Sequence, residues 1–325
     1  MNEAGVVEAV RELGLIAPDD IADCVPLSGG VSSDVFEIRA KDGQAFVVKR
    51  SIPKLRVKAD WRAPIERDAQ EVAWLTTVRE IDPHLVPQVL GWSPDDHLFA
   101  MERRSGPVWK QAMAEGHVDP AFAGKVGAAL AAIHAATASR TDLVARFPDP
   151  RNFFALRVDP FLLHTARRHP DAAPMLASIA ADLQLRGDVL IWGDASPKNI
   201  LIGEEGPVFL DAETATLGDP AFDVAFCLTH LLLKTVWLAP YEATLLASVE
   251  ALRNAYRAGF TGDEGMGRRT ASLIGALLLA RVDGKSPAGY LSAEQDDVVR
   301  RRAKMILARP NLDLTSLPAF WRDLA

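Results

Sequence analysis

The fold of this chain is inferred most readily from residues 189–223, VLIWGDASPKNILIGEEGPVFLDAETATLGDPAFD. Two short apolar runs, Ile200–Ile202 and Pro207–Leu210, flank the sequence GEEG, and this pattern predicts an antiparallel hairpin with a four-residue loop. A hairpin returns the chain to its starting end, so Asn199 before the first strand and Asp211 after the second should face each other, with α-carbons on the order of 5 to 8 Å apart. We therefore expect an amide oxygen and a carboxylate to share one small volume.

Oxygen ligands of this kind indicate a magnesium site. Mg²⁺ prefers carboxylate and carbonyl oxygens and keeps water and substrate phosphates in the rest of its shell, so a metal-bound nucleotide is the expected occupant. Asp194 lies five residues before Asn199, in a loop after the apolar run Val189–Ile191. It is predicted to lie near the metal without binding it and to align an attacking hydroxyl, whose proton it accepts late in phosphoryl transfer.

Three motifs in this region resemble those of the aminoglycoside phosphotransferase and choline kinase-like superfamily of small-molecule kinases. In chain order they are Gly193-Asp194-x-x-x-x-Asn199, Asp211-Ala212-Glu213 and Gly218-Asp219-Pro220-x-x-Asp223. The resemblance implies that Asp194 is the catalytic carboxylate, that Asn199 and Asp211 bind the metal, and that Glu213 is a further metal ligand or a substrate contact. Trp192 stands where the family usually has histidine, so packing of the indole would have to brace the catalytic loop.

Each of these residues also has a simpler structural interpretation. Asp219 before a proline is typical of a helix N-cap, and Asp223 in the first helical turn favours the helix dipole, so both are interpreted as structural. The resemblance adds that Asp223 ties down the catalytic loop. Asn199 and Asp211 singly are typical turn residues, and it is their joint placement with Asp194 that favours function.

Composition favours a soluble protein of two lobes. With 325 residues and 49% hydrophobic content, the chain is long enough for more than one domain. The net charge is −7 and the densest basic run is only Arg300–Arg302, so nucleic acid is not the expected partner. The acidic balance is compatible with a cationic substrate but is equally ordinary for a cytosolic protein. Cys24 and Cys227 form no disulfide framework, and Cys227 is predicted to be a buried free thiol.

No targeting or membrane segment is predicted. The first residues, MNEA, lack the basic start and apolar core of a signal peptide, and the longest apolar stretches are interrupted by His230, Lys234 or Arg281. We therefore expect a cytoplasmic protein without a membrane partner, either a monomer or a homodimer.

Residues 1–102 are predicted to form a small, strand-rich, nucleotide-binding lobe after a short helix at Val6–Leu13. A glycine turn with Gly29, Gly30 and Ser32 would bring backbone amides close to phosphate oxygens, although paired glycines serve hairpin turns more often. Lys49 ends the Val-Val strand that follows. In kinases such a lysine contacts the α- and β-phosphates, and the alternative is a surface lysine.

A carboxylate from a helix at about residues 65–78 is expected to hold Lys49. Glu66, Asp68 and Glu71 are the candidates, and Glu71 is favoured because it lies deep in the helix beside its apolar stripe. The sequence alone leaves all three open.

Residues 103–107, RRSGP, have the composition of a hinge, and residues 108–325 are predicted to form a larger, mainly helical lobe that carries the substrate site. The backbone near Met101 and Arg103 would hydrogen-bond the adenine edge, with Met101 packed on the ring, although a methionine at a strand end is more often core filler.

His134, in a helix at about 121–137, is interpreted as a core residue. Further helices are predicted near 220–234, 240–258, 264–282 and 291–308, and Gly284-Lys285-Ser286 is interpreted as a helix C-cap.

The sequence therefore predicts an α+β, protein-kinase-like fold of two lobes that transfers the γ-phosphoryl group of ATP or GTP, with Mg²⁺, to a hydroxyl of a small molecule. Similarity of the Asp-Ala-Glu stretch to methylthioribose kinases keeps a sugar acceptor open. A nucleotide-binding regulator without catalysis is a second alternative, because Trp192 departs from the family pattern. A protein kinase is disfavoured, because no Asp-Phe-Gly to Ala-Pro-Glu segment is present.

Overall fold

A five-stranded antiparallel sheet forms the N-terminal part of the computed structural model, which describes residues 3–17, 23–27, 32–40, 43–56 and 61–324. Its strands are β1 (Asp23–Pro26), β2 (Ser33–Arg39), β3 (Ala45–Ser51), β4 (Val89–Ser93) and β5 (Leu98–Glu102). They lie in the order β1-β2-β3-β5-β4, so β3 is central. Helix α1 (Glu3–Glu12) precedes the sheet, and α2 (Arg67–Ile81) separates β3 from β4 along the chain.

Side chains along β3 alternate between the two faces of the sheet, and each face packs against a different part of the protein. Phe46 and Val48 share a hydrophobic cluster with Val6 and Val10 of α1. Val47 packs against the main core instead, and Lys49 lies on that same side because successive strand residues point to opposite faces. The strand therefore directs one lysine away from α1 and toward α2.

The remainder of the chain is mostly helical. Its helices are α3 (Trp109–Ala114), α4 (Pro120–Thr137), α5 (Leu143–Arg146), α6 (Arg151–Phe153), a π-helix (Phe154–Leu163), α7 (His164–Arg168), α8 (Ala173–Leu185), α9 (Ala221–Trp237), α10 (Glu242–Gly259), α11 (Met266–Asp283), α12 (Ala293–Leu307) and α13 (Leu317–Asp323), with 3₁₀ turns at Pro197–Asn199 and Ala239–Tyr241. Among the described helices none is by itself long and apolar enough to cross a membrane. Ala221–Trp237 and Ala239–Gly259 meet the length and composition criteria only as a pair, which is bent by 115°.

Two small antiparallel strand pairs interrupt the helices and carry the predicted catalytic motifs. Strand β6 (Val189–Ile191) pairs with β9 (Thr216–Gly218), and β7 (Ile200–Ile202) pairs with β8 (Pro207–Phe209). Gly203 N donates to Gly206 O at 2.9 Å, which closes the predicted four-residue loop between β7 and β8.

Helix α9 lies at the centre of the helical part. Every residue from Ala221 to Thr235 is buried, and α9 packs against α10, α11 and α12. A helix that is apolar on all sides is typical of a core helix. His230 and Lys234 stand out in its C-terminal half, since each places a titratable group among buried leucines.

The predicted α+β class, with a small sheet followed by a larger helical part, is confirmed, and so are the predicted helices near 220–308 within a few residues of their ends. The helix expected at 65–78 begins at Arg67 and continues to Ile81, two residues before Pro83, where a proline disfavours further helix. Cys227 is a buried free thiol, as expected. The lobe boundary at residues 103–107 stays a prediction; the segment joins β5 to α3, and the carbonyl of Pro107 accepts from Ile202 N at 2.9 Å.

Candidate active site

A cavity of about 590 Å³ lies between the sheet and the helical part, and we refer to it as the central cavity. The predicted site residues that line it are Ser32, Lys49, Glu71, Met101, Asp194, Asn199, Asp211 and Glu213. Gly29 and Gly30 lie outside the described residues. Residues more than 180 positions apart in sequence thus meet at one site.

Lys49 is held by two carboxylates on the sheet side of the central cavity. Its Nζ lies 2.9 and 2.7 Å from the two carboxylate oxygens of Glu71 and 2.5 Å from Oδ1 of Asp211. Glu71 is therefore the partner, as favoured from the sequence, whereas Asp68 accepts from Trp92 Nε1 at 2.8 Å. Burial alone would lower the pKa of Lys49, but the nearby carboxylates, Asp211 foremost, raise it above its ordinary value.

The β7–β8 hairpin brings Asn199 and Asp211 to the same end, as its sequence predicts. Ile200 pairs with Phe209, and Leu210 N donates to the carbonyl of Asn199 at 2.9 Å. Burial would raise the pKa of Asp211, but attraction by Lys49 and then by Lys198 lowers it below its usual range, so this carboxylate is ionised at neutral pH.

Trp192, at the position where the sequence resemblance leads us to expect histidine, makes both polar and aromatic contacts. Its indole Nε1 donates to the carbonyl of Asp211 at 3.0 Å, and Asp211 adopts a left-handed backbone conformation with φ of 65°. The ring packs against Trp74 at 5.6 Å and Phe209 at 4.8 Å between centroids. The indole therefore braces the backbone of a predicted metal ligand by a hydrogen bond as well as by packing.

Asp194 is buried, and all its side-chain contacts converge on one oxygen. Oδ2 accepts from Asn199 Nδ2 at 2.7 Å and lies 2.9 Å from Arg157 Nη2 and 3.3 Å from Lys198 Nζ. Its Oδ1 has no such partner among the residues that the structure describes. Because Asn199 uses its Nδ2 here, its amide oxygen is left for another ligand.

Asp223 anchors the loop that carries Asp194. Its two carboxylate oxygens accept from the backbone N–H groups of Trp192 and Gly193, each at 2.7 Å. His134 Nε2 lies 3.2 Å from Asp223 and its Nδ1 lies 2.7 Å from the Tyr256 hydroxyl, so this histidine is a satisfied core residue, as interpreted from the sequence.

Asp219 serves the start of α9 from the loop before it. Its Oδ1 accepts from Ala221 N at 3.0 Å, which is a capping contact, although α9 begins at Ala221 with Pro220 at the N-cap position, one residue later than expected. Its carboxylate also pairs with Arg269, whose Nε lies 2.6 Å from Oδ2. No sequence motif marks this arginine.

Replacing Asp223 by Asn should lower the free energy of unfolding by about 1–3 kcal/mol, because an amide accepts only one of the two backbone hydrogen bonds and turns an N–H toward the other. Chemical denaturation measures this loss. Asp182→Asn on the exposed face of α8 is the matched control and should change stability little. An Asp223→Asn protein as stable as the wild type would contradict the anchoring role.

Glu213 lies in the central cavity but already has a cationic partner. Its Oε2 accepts from Arg67 Nε at 2.8 Å, and Arg67 is 0% exposed. Arg67 also donates to the carbonyls of Pro64 and Ile52, both at 2.8 Å, and to that of Ser32. A role for Glu213 in metal binding stays a prediction, with one of its oxygens held by this arginine.

The oxygen atoms of Asp211 and Asn199 in the central cavity fit Mg²⁺ with bound phosphate. Across the described ranges, no three His, Cys, Asp or Glu side chains are grouped so as to hold a metal ion. The donor set is instead the Asp211 carboxylate and the Asn199 amide oxygen. Such a set suits a hard cation that takes its other ligands from water and phosphate.

Of the two residues predicted to contact adenine, Met101 lines the central cavity and Arg103 does not. Met101 is buried at the end of β5 and lines the central cavity. Arg103 is not among the lining residues, and its Nε pairs with Glu37 at 2.9 Å, so its side chain is directed to β2. The backbone contact expected near Arg103 stays a prediction.

Several lining residues were not identified as site residues from the sequence; they are Lys110, Arg157, Lys198, Lys234, Arg281 and Tyr290. The signal for two of them was present, since Lys234 and Arg281 interrupt apolar runs that the structure shows to be buried helices. A basic side chain in such a run needs either a partner or a ligand.

Comparisons with known proteins identify the family of this chain. A family model described as the phosphotransferase enzyme family, APH, matches residues 23–264. A comparison with curated protein sequences gives no significant match.

Similar solved structures include three kinases or phosphotransferases. Amicoumacin kinase in complex with AMP-PNP, Ca²⁺ and amicoumacin is 15% identical, with a TM-score of 0.61 over 98% of this chain and 97% of that one. A choline/ethanolamine kinase family protein from Mesorhizobium loti is 16% identical, with a TM-score of 0.56 over 98% and 99%. Macrolide 2'-phosphotransferase from Brachybacterium faecium is 20% identical, with a TM-score of 0.54 over 95% and 99%. These likenesses show the two-lobed, kinase-like fold, and the family model shows that the chain belongs to the phosphotransferase enzyme family.

Proposed function

We propose that the protein transfers the γ-phosphoryl group of ATP to a hydroxyl of a small molecule, with Mg²⁺ as the metal. The observation that carries the proposal is the meeting of four groups in the central cavity. They are the Lys49–Glu71 pair, the Asp211 carboxylate, the Asn199 amide oxygen and the Asp194 carboxylate with one oxygen unengaged. Family membership and the kinase folds of the similar structures support the same reaction class.

Each protein group has a distinct task in this proposal. Lys49, held by Glu71, binds the phosphates of the nucleotide, and Met101 packs at the adenine end. Asn199 and Asp211 hold the metal, which when bound offsets the charge of the phosphates. Asp194 Oδ1 accepts a hydrogen bond from the acceptor hydroxyl, while Asn199 and Arg157 fix the other oxygen of this carboxylate.

The proposed reaction balances as a simple phosphoryl transfer. A bond forms between the acceptor oxygen and the γ-phosphorus, and the bond from that phosphorus to the β–γ bridging oxygen breaks. The hydroxyl proton passes to Asp194 late in the transfer and is then released to water. The products are ADP and a phosphate monoester.

The choice of ATP and of an active enzyme has separate support. The amicoumacin kinase structure contains AMP-PNP, which favours ATP over GTP, and its Ca²⁺ indicates a divalent metal. The Trp192 indole keeps Asp211 in place through its hydrogen bond, so replacement of the family histidine leaves the catalytic loop braced. This contact favours an enzyme over a regulator that only binds nucleotide.

The test measures ADP formation from ATP with and without a panel of acceptors that includes amino sugars, methylthioribose, choline and other alcohols. We expect slow Mg²⁺-dependent ATP hydrolysis without an acceptor, because water also reaches the γ-phosphorus, and faster turnover with one class of acceptor. ³¹P NMR identifies the phosphate monoester. Tight Mg²⁺-dependent binding of AMP-PNP with no ATP consumption under any condition would overturn the proposal in favour of a regulator.

A further inference from the structure

The end of the central cavity away from the sheet is lined by basic side chains. Lys110 on α3, Lys234 on α9 and Arg281 on α11 lie there with Tyr290 from the loop after α11. We call these four residues the basic end. They come from the helical part alone, whereas Lys49, Glu71 and Met101 come from the sheet and α2.

Lys234 is the least expected member of this group. It is 1% exposed, and among the described residues its Nζ contacts the carbonyl of His230 at 3.4 Å and the face of the Tyr290 ring, 5.8 Å from the centroid. Within the described part of the chain, no carboxylate pairs with it. Burial, together with Lys110 and Arg281, lowers the pKa of Lys234 to about 7. A buried ammonium without a counter-ion is costly, which indicates a site made for a ligand.

The other members also have unused hydrogen-bonding groups. Lys110 Nζ lies 5.3 Å from the centroid of the same Tyr290 ring, so two ammonium groups flank one aromatic side chain. Arg281 Nη1 donates to Ser286, but its buried Nε has no partner in the ranges described. The Tyr290 hydroxyl and the hydroxyl of Ser196, which also lines the cavity, are likewise buried without partners there.

His230 lies near the three cations of the basic end and near Lys198. Burial and then the four cations around it lower the pKa of His230 well below its ordinary value, so this imidazole is neutral. Those cations are Arg281, Lys234, Lys198 and Lys110.

The carboxylates of the central cavity do not offset this charge. Glu71 and Asp211 are both bound to Lys49, and Glu213 is bound to Arg67. Asp194 pairs with Arg157 and Lys198. Each acidic group that lines the cavity is thus paired, with Lys49 shared by two of them, and Lys110, Lys234 and Arg281 form no ion pair with a carboxylate of the described residues.

We propose that the basic end binds an oxyanion carried by the acceptor, so that the substrate is a hydroxyl compound with a carboxylate or phosphate group. This inference rests on the proposed phosphotransferase function and specifies its substrate class. The acidic overall charge of the protein is compatible with a cationic substrate, but the basic end itself is positively charged. An amino sugar or choline would place its positive charge beside unpaired lysines.

The first experiment measures binding to the protein saturated with Mg²⁺ and AMP-PNP, so that the nucleotide phosphates already occupy their own site. Isothermal titration uses D-gluconate and D-glycerate as carboxylates, glycerol 3-phosphate as a phosphate, and ribitol, choline and kanamycin as neutral or cationic compounds. We expect binding of at least one anion, and the two kinds of anion distinguish a carboxylate site from a phosphate site. Binding of kanamycin or choline but of no anion would overturn the inference, as would anion binding that AMP-PNP abolishes.

Lys234→Met is the decisive variant, because methionine keeps the length of the side chain without its charge. It should weaken anion binding at least about tenfold, since charge-assisted hydrogen bonds are lost. Lys125→Met, at an exposed position on α4, is the matched control and should bind as the wild type does. Unchanged anion binding by Lys234→Met and by Lys110→Met would contradict the assignment.

Thermal unfolding gives a readout that does not depend on catalysis. In the absence of ligand, Lys234→Met should raise Tm by a few degrees, since methionine avoids the cost of burying or neutralising an unpaired amine. The bound anion should raise Tm of the wild type but not of the variant. Anion binding without phosphoryl transfer would support this inference and refute the proposed function. Efficient transfer to choline or kanamycin that Lys234→Met does not affect would support the proposed function and refute this inference.

Discussion

An Asp194→Asn protein is expected to turn over about a thousandfold more slowly than the wild type, a rise of about 4 kcal/mol in the activation barrier. The amide cannot accept the hydroxyl proton, and it aligns the acceptor poorly. The fold should persist, because Arg157 also donates to the carbonyls of Gly193 at 2.6 Å and Leu156 at 2.8 Å. The loop itself is held by Asp223.

Steady-state kinetics and nucleotide titration together check this expectation. The Kd for Mg²⁺ and AMP-PNP should stay within about threefold of the wild type, since Asp194 is not proposed to bind the metal or the phosphates. Asp182→Asn is the matched control for the loss of a carboxylate. Turnover of Asp194→Asn at the wild-type rate would remove this residue from the mechanism.

The second large effect is expected for Asp211→Asn, which should abolish the contribution of Mg²⁺ to nucleotide binding. We expect the affinity for AMP-PNP with Mg²⁺ to fall at least about a hundredfold, about 3 kcal/mol, because a charged metal ligand is replaced by a neutral one. Lys49 should remain in place, because Glu71 holds it at 2.7 and 2.9 Å.

A comparison with and without metal isolates the role of Asp211. With EDTA present, the variant should bind AMP-PNP as well as the wild type does, or better, because a negative charge next to the phosphates has been removed. A variant that keeps the full stimulation by Mg²⁺ would show that Asp211 does not bind the metal.

The arrangement of residues on the sheet side of the central cavity was predictable because its signals are local. The hairpin is encoded by two apolar runs around GEEG, and its register follows from them, with Ile200 opposite Phe209. Lys49 and Glu71 could be paired because the period of a strand and the period of a helix each direct one side chain toward the same gap.

The basic end was not predictable in this way, because it is assembled from segments that are distant in sequence. Lys110 from α3 and Lys234 from α9 meet only in the folded protein, at the ring of Tyr290, which follows α11. Lys234 interrupts an apolar run, but only the burial of its helix on all sides shows that the amine faces the central cavity rather than the protein surface. Arg157 lies in a π-helix that contains Pro160, and no sequence period marks which way its side chain points.

The two ends of the central cavity therefore differ in kind. On the sheet side every carboxylate that lines the cavity is paired with a cation, and the oxygen donors suit a metal-bound nucleotide. On the helical side Lys110, Lys234 and Arg281 form no ion pair with a described carboxylate. Asp194 lies between the two sides, where its Oδ2 contacts Arg157 and Asn199 and, in the proposed function, its Oδ1 faces the acceptor. A hydroxyl compound anchored by its anionic group at Lys234 would meet the γ-phosphoryl group beside this carboxylate.

The most direct test is a crystal structure of the protein with Mg²⁺ and AMP-PNP. We expect the metal to lie about 2.0–2.1 Å from an oxygen of Asp211 and from the amide oxygen of Asn199, with the γ-phosphoryl group facing Asp194 and Lys234 left uncovered. A metal bound away from both Asn199 and Asp211, or a triphosphate seated on Lys234 and Arg281, would contradict the account.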